Sequence, residues 1–478
     1  MKTNWSSLFL VSVLLVSSLI GRENSRPNII LLMADDFGYE ALACNGGTTY
    51  ETPAFDRIAA QGMRFTHAYS QPVCTPSRVK IMTGRSNSRN YVSFGVLKQG
   101  EVTFGNILKE AGYKTAVVGK WQLSGTSKDG HQGMWWDECG FDESCMWAYA
   151  RYLKPEDLEH YLANSKLKKG KDSSRFWNPS IIENGKYRPT TADDFGPDIY
   201  SKYLLDFIDR NKDEPFFVYY PMALTHGPFV PTPHTGEFPE KDKYGSNKKY
   251  FGDMVCYTGF IIENIMKKLD ELGIAEDTLL LFTCDNGTGR GIVSWMGDRL
   301  VTGGKAFPVD AGTHVPLLAY WKGTIEPGSV CNDLVEFSDF MPTLAEVGGA
   351  KLPTDRILDG RSFLPQLLGK KGNPRDNIII HYDIDPDDKP KFRRVRFAFD
   401  GKYKLYMDGR MFEVAKDWLE QNPLAMEQAG SGARKARERL QDVLDEQPDW
   451  QPDNSMFGDG TSKTFQNFLK LQSELSKN

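Results

Sequence analysis

Cys74-Thr75-Pro76-Ser77-Arg78 is the stretch whose residue types fit covalent chemistry best. Pro76, near the start of a short apolar–polar run, predicts the first turn of a helix. Cys74 then lies at a helix N-terminus, where free N–H groups and the dipole favour an anion. A buried cysteine ahead of an ordinary helix fits the pentapeptide equally well. A second cluster is the acid pair Asp35-Asp36. Adjacent carboxylates repel each other unless a cation sits with them. Lys120, His226, Asp285-Asn286-Gly287 and Lys305 complete the set. Taken singly they read as surface lysines, a core histidine and a turn.

The elements that must position these residues are legible as runs. Pro27 to Ala34 is continuously apolar and ends in Asp35-Asp36, the pattern of a strand buried on both faces. Tyr113 to Val118 leads to Gly119-Lys120-Trp121-Gln122, Phe216 to Leu224 to Thr225-His226-Gly227, and Thr278 to Thr283 to Cys284-Asp285-Asn286-Gly287. Val315 to Trp321 follows Gly303-Gly304-Lys305 at a short distance. Helix-period segments separate them, over 52–61, 103–111, 199–209 and 252–272, and a further helix is expected at 339–347. Strands alternating with helices predict an α/β domain with a large, mostly parallel sheet flanked by helices. Ligands sit beyond the carboxyl ends of such strands, so the polar residues there are expected to converge.

From Asp376 the chain changes character. Short strand-like runs at 378–382, 395–399 and 403–407, with Asp400-Gly401 as a turn, predict a small antiparallel sheet. A helix is expected within 423–446 and a polar, loosely ordered tail after it. Residues 125–197 read as an irregular excursion carrying Trp135, Trp136, Trp147 and a basic patch at 166–171. The expected organisation is a leader at 1–22, a catalytic domain at 23–372 and a C-terminal subdomain and tail at 373–478.

Composition narrows the class. The 478 residues are 40% apolar and 12% aromatic, ample for a packed core. A net charge of −5 gives no electrostatic reason to expect nucleic acid. Lys2 followed by the apolar run Leu8 to Ile20 reads as a secretory signal, cleaved between Ser18 and Glu23, with an uncleaved anchor as the alternative. No later run is long enough to span a bilayer. An exported protein is expected, periplasmic or extracellular in a bacterium. The seven cysteines are odd in number, which singles out Cys74 as a special thiol. Among the other six, spacing favours a Cys139–Cys145 pair, and simple burial fits as well.

Together, Asp35-Asp36, the Cys74 segment, Gly119-Lys120-Trp121, Thr225-His226-Gly227, Asp285-Asn286-Gly287 and Gly303-Gly304-Lys305 resemble the type I, formylglycine-dependent, arylsulfatase-like sulfatases of the alkaline phosphatase superfamily. The resemblance runs from about Pro27 to Tyr406. It implies an alkaline-phosphatase-like fold and roles position by position. Cys74 matches the cysteine that a dedicated maturation enzyme oxidises to Cα-formylglycine (3-oxoalanine), whose hydrate attacks sulfur. Asp35, Asp36, Asp285, Asn286 and the modified Cys74 match the metal ligands. All are oxygen donors, which suits Ca²⁺ first and Mg²⁺ second. Arg78 matches the residue that steadies the formylglycine, Lys120 and Lys305 the sulfate-binding lysines, and His226 the group near the leaving oxygen, the best general-acid candidate.

Two positions depart from the family pattern. Gln122 stands where the family has a histidine that can take a proton during sulfate release, and glutamine cannot serve as a base near neutral pH. Asp285, Lys120 or water are the substitutes to consider. His314 stands where the family often has arginine, as a substrate contact or a packing substitute. Arg290 is a further candidate substrate contact. The expected activity is hydrolysis of a sulfated carbohydrate or aryl sulfate. The alternatives are a phosphodiester or phosphonate monoester hydrolase, and a sulfated-glycan binding protein with unmodified Cys74.

Overall fold

The computed structural model describes residues 26–148, 174–384, 394–450 and 463–475. The leader at 1–22, the basic patch at 166–171 and the 451–462 stretch lie outside the described residues.

One large sheet carries the chemistry. Its centre is five parallel strands in the order β8 (Thr278–Cys284), β1 (Asn28–Ala34), β7 (Phe216–Pro221), β3 (Lys114–Gly119) and β4 (Glu143–Trp147). Every residue of β1, β7 and β8 is buried, as their unbroken apolar runs require. Each fully buried branched or aromatic side chain there contributes about 1.5–3 kcal/mol. Beyond β4 the sheet turns antiparallel through β5 (Ile181–Glu183) and β6 (Lys186–Arg188).

The other flank is also mixed. β11 (His314–Tyr320) runs antiparallel to both β8 and β2 (Met63–Tyr69). β2 therefore points the same way as β8, and its carboxyl end opens on the same edge. β9 (Val293–Met296) and β10 (Arg299–Thr302) form a separate hairpin, while β12 (Ser329–Cys331) and β13 (Val335–Glu336) pair with β2. Helices α1 (Pro53–Gln61), α2 (Cys74–Thr83), α3 (Phe104–Glu110), α4 (Gly196–Asn211), α5 (Phe251–Glu271) and α6 (Phe340–Gly348) flank the sheet.

The C-terminal part is a four-stranded antiparallel sheet of β14 (Ile378–Tyr382), β15 (Val395–Phe399), β16 (Tyr403–Tyr406) and β17 (Met411–Glu413). The turn after β15 forms as its Asp-Gly pair predicts: Gly401 has φ +87°, and the Asp400 carboxylate accepts from the Lys402 and Tyr403 amides at 3.0 and 2.6 Å. Helix α7 (Ser431–Asp445) buries Ala436, Leu440 and Leu444 against one face of this sheet. The other face packs against Tyr69, Val73, Ala306, Phe307 and Val309. It thus supports the segments that lead into Cys74 and away from Lys305.

Two expectations need correction. The polar tail contains a helix, α8 (Lys463–Leu475). Its Phe468 ring packs on Phe307, and Gln472 exchanges hydrogen bonds with the backbone of β10, accepting from Thr302 N and donating to Leu300 O. Cys139 and Cys145 are both buried free thiols, as part of a chain whose seven cysteines are all unpaired. No helix among the described residues is long and apolar enough to cross a membrane.

Candidate active site

The turns that leave the strands are tied to one another by backbone hydrogen bonds. Asp35 N donates to Leu224 O at 2.8 Å and Thr225 N to Asp35 O at 2.7 Å, which joins the ends of β1 and β7. Asp285 N donates to Ala34 O at 3.0 Å, and Lys120 N to Pro221 O at 2.7 Å. Two glycines permit this approach. Gly119 has φ +107°, and a Cβ there would lie 2.3 Å from Pro221 O. A Cβ on Gly287 would lie 1.9 Å from Ala311 O.

Cys74 opens α2, with Pro76 in its first turn, as its sequence predicts. All ten residues of α2 are buried. Lys80, inside the same helix, pairs with Glu336 and donates to Ile379 O at 3.0 Å. A buried cation thereby fixes the helix against both parts of the chain. Arg78 donates from Nε and Nη2 to Asp285 Oδ2 at 3.2 and 2.9 Å, and from Nη1 to Lys120 O at 2.6 Å.

The charges interlock. Lys120 Nζ stands 2.5 Å from Asp35 Oδ2, and Lys305 Nζ stands 2.6 and 2.8 Å from the two Asp36 oxygens. Burial works against ionised Asp35, yet Lys120 and Arg78 hold its carboxyl well below the usual range. Burial likewise opposes ionised Asp36, and Lys305 overrides it. For His226, burial and then Lys305 push the imidazole down to about 3, so the ring is neutral near pH 7. Its Nδ1 lies 2.6 Å from Gly227 O, which can only accept, so the proton is assigned to Nδ1. Nε2 then presents a lone pair 3.7 Å from Asp36 Oδ2.

The site suits a hard cation. Asn286 Nδ2 is spent on Asp36 Oδ1 at 2.8 Å and Gly287 O at 2.9 Å, which leaves its Oδ1 for another partner. Asn286 Oδ1 and Asp35 Oδ1 are buried acceptors without a hydrogen-bond donor among the described residues. Such atoms are costly unless a ligand satisfies them. With Asp36 and Asp285 they form an all-oxygen donor set, the chemistry Ca²⁺ or Mg²⁺ takes. Among the described residues, Asp35, Asp36 and His226 bring ligand atoms within 4.8 Å of one another.

A cleft of about 560 Å³ opens onto this cluster, lined by Asp36, His226, Lys305, Arg290, Phe307 and Phe468, among others. Arg290 is therefore at the mouth, exposed. His314 is elsewhere. Its ring stacks on Tyr39 at 4.0 Å and Tyr69 at 4.8 Å, with Nε2 2.9 Å from Thr66 O and Nδ1 3.4 Å from Asp310. Both nitrogens have partners among the described residues. Gln122 has φ +52° and a buried Oε1 without a partner among the described residues. The tryptophans of the excursion are not an exposed platform: Trp147 is buried, and Trp135 and Trp136 are half-buried.

Sequence reasoning missed Arg175. It is buried, with Nη1 3.9 Å from Asp35 Oδ2. A single arginine in an irregular stretch carries no signal that separates it from a surface residue. The cleft wall from α8 was missed for a similar reason, since Asn467, Phe468 and Leu471 line it from a helix within the polar tail.

Comparison with known proteins gives the family. The family model described as Sulfatase matches residues 27–350, and one described as N-sulphoglucosamine sulphohydrolase, C-terminal, matches 304–446. The chain is 32% identical over 418 residues to an arylsulfatase of Hemicentrotus pulcherrimus, covering 83% of this chain and 70% of that protein. It is 31% identical over 382 residues to N-acetylgalactosamine-6-sulfatase of Mus musculus, covering 74% and 68%. A solved structure from work on glycosaminoglycan metabolism by Bacteroides thetaiotaomicron superposes with a TM-score of 0.67 at 24% identity, covering 88% of this chain and 99% of that one.

Proposed function

Because this chain belongs to the sulfatase family, as a type I sulfatase of the alkaline phosphatase superfamily and hence a sulfuric ester hydrolase, we propose that it desulfates a sulfated carbohydrate, using formylglycine at position 74 and a bound Ca²⁺. The observation that carries this reading is the meeting of three buried carboxylates, Asn286 and two lysines at one sheet edge, with the helix that Cys74 opens tied to them through Arg78 and Asp285. Its carbohydrate part rests on the N-acetylgalactosamine-6-sulfatase relative and on the match of residues 304–446 to a sulphoglucosamine sulphohydrolase segment.

Asp35, Asp36, Asp285, Asn286 and residue 74 would hold the cation. Formylglycine supplies a hydrated aldehyde as oxygen nucleophile, and the cation supplies fixed positive charge beside it. Arg78 keeps Asp285 and the Lys120 backbone in place, and so orients two sides of the site from the helix that carries residue 74. Lys120 and Lys305 bind the sulfo group. Their ammonium groups are preorganised on Asp35 and Asp36, with Lys120 buried and Lys305 partly so, where charge stabilisation is stronger than in water.

His226 faces the leaving oxygen with Nε2, while its Nδ1–H is held by Gly227 O. To act as the acid it must take a proton at Nε2 when the anionic ester offsets Lys305. Maturation of Cys74 requires a formylglycine-generating partner, and the expected site of action is outside the cytoplasm.

The test is a set of defined sulfated oligosaccharides, with aryl sulfate and aryl phosphate as controls, followed by free sulfate and free phosphate. Sulfate release from one oligosaccharide class supports the reading. Faster turnover of the phosphate ester would move the assignment to a phosphodiester or phosphonate hydrolase.

A further inference from the structure

Arg175 is a buried cation without a hydrogen-bond acceptor for Nη1 among the described residues. An N–H of a guanidinium left unpaired in a protein interior is costly, so such a group normally marks a partner that arrives later. Its position says which partner. Nη1 lies 3.9 Å from Asp35 Oδ2, too far for a hydrogen bond, and that same oxygen is the one that Lys120 Nζ contacts and Arg78 Nη2 approaches at 3.9 Å. Arg175, Lys120 and Arg78 therefore surround one corner of the site, with Lys305 on the Asp36 side. Four cations face the three carboxylates Asp35, Asp36 and Asp285.

The side chain is also held still. Its guanidinium Cζ lies over the Trp147 ring, 4.0 Å from the centroid. The backbone is clamped from the other side: Gly196 N donates to Phe176 O at 2.8 Å, and a Cβ on Gly196 would fall 2.2 Å from Arg175 O. Trp177 Nε1 donates to Pro231 O at 2.8 Å, which joins this segment to the loop that follows His226. A mobile surface arginine has none of these restraints.

We propose that Arg175 is a third sulfate-binding residue, donating from Nη1 to a non-bridging oxygen of the ester's sulfo group on the Lys120 side. The inference rests on the sulfatase reading above. Nothing in the spacing of the sequence motifs assigns this role, and it gives the 125–197 excursion a part in the reaction centre itself.

The test uses full-length matured protein and two variants, Arg175→Met and Arg175→Lys, with inorganic sulfate as the binding probe and 4-nitrophenyl sulfate as substrate. One charge-assisted hydrogen bond corresponds to about a 10- to 100-fold change. Arg175→Met should weaken sulfate binding in calorimetry by about that factor and lower kcat/KM on the aryl sulfate similarly, with Arg175→Lys between it and the parent. Melting temperatures accompany each measurement. A Met variant that fails to fold leaves the Lys variant to decide, through a sulfate affinity below the parent's at an unchanged melting temperature. Unchanged sulfate affinity in a folded variant, with losses confined to substrates bearing a second anionic group, would overturn the proposal. A parent protein that neither binds sulfate nor releases it would overturn the sulfatase reading beneath it.

Discussion

Lys305 extends its Nζ to within 2.6 and 2.8 Å of both oxygens of Asp36, and so occupies with an ammonium the carboxylate that a metal would share. Lys120 does the same for Asp35. The lysines balance the acids in the folded protein, and a divalent cation would take over that balance and release the ammonium groups toward an anion.

This relationship gives the first prediction. Ca²⁺ added to chelator-treated protein should raise its stability, by about 2.7 kcal/mol at a free concentration 100 times Kd. The change is read as a shift in the denaturant midpoint. Asp36→Asn should abolish the Ca²⁺-dependent part while leaving a folded protein, because Lys305 is only partly buried and can turn to solvent. A parent midpoint that ignores millimolar Ca²⁺ and Mg²⁺ alike would remove the cation from the account.

His226 carries the second. If Nε2 protonates the leaving oxygen, its loss should matter most when that oxygen is a poor leaving group. His226→Ala should cost about 10²- to 10⁴-fold in kcat/KM on a carbohydrate sulfate, and much less on 4-nitrophenyl sulfate. Equal losses on both substrates would mean that the imidazole positions the ester and gives no proton.

The third concerns acid stability. His381 is 7% exposed, accepts at Nδ1 from Arg396 Nε at 3.1 Å and packs against Trp450 at 4.6 Å. Burial, then the charges of Arg396 and Lys80, push its imidazole down to about 3. The unfolded chain takes up this proton near pH 6.5 and the folded chain only near 3. Stability from this group is thus complete above pH 6.5 and falls with decreasing pH across that window, by at most about 1.4 kcal/mol per unit. Denaturation between pH 7 and 4.5 should show a shallower slope for His381→Gln than for the parent. Parallel slopes would place the acid sensitivity in other groups, His226 among them.

Much of this architecture could be read from the chain because its central strands are buried on both faces. The runs before Asp35, Lys120 and Asp285 are mostly apolar and buried and lead straight into the site residue, while the run before His226 ends as a strand at Pro221 and reaches it through the following turn. β2 was not legible, since Arg64, Thr66 and His67 interrupt it and are only partly buried. Helix α8 was missed because it covers the protein with one narrow face built on Phe468 and Gln472. His314 and Arg175 were ambiguous for another reason. Their surroundings come from Tyr39, Tyr69, Trp147 and Asp35, residues far away in sequence, so local pattern carries no information about them.

The most direct measurement is the mass of the tryptic peptide spanning residues 65–78 from active protein. Conversion of Cys74 to formylglycine replaces the thiol and a hydrogen with an aldehyde oxygen, a loss of about 18 Da. The account predicts that loss, with sulfate release rising in proportion to the converted fraction. Fully active protein with Cys74 at its unmodified mass would contradict it.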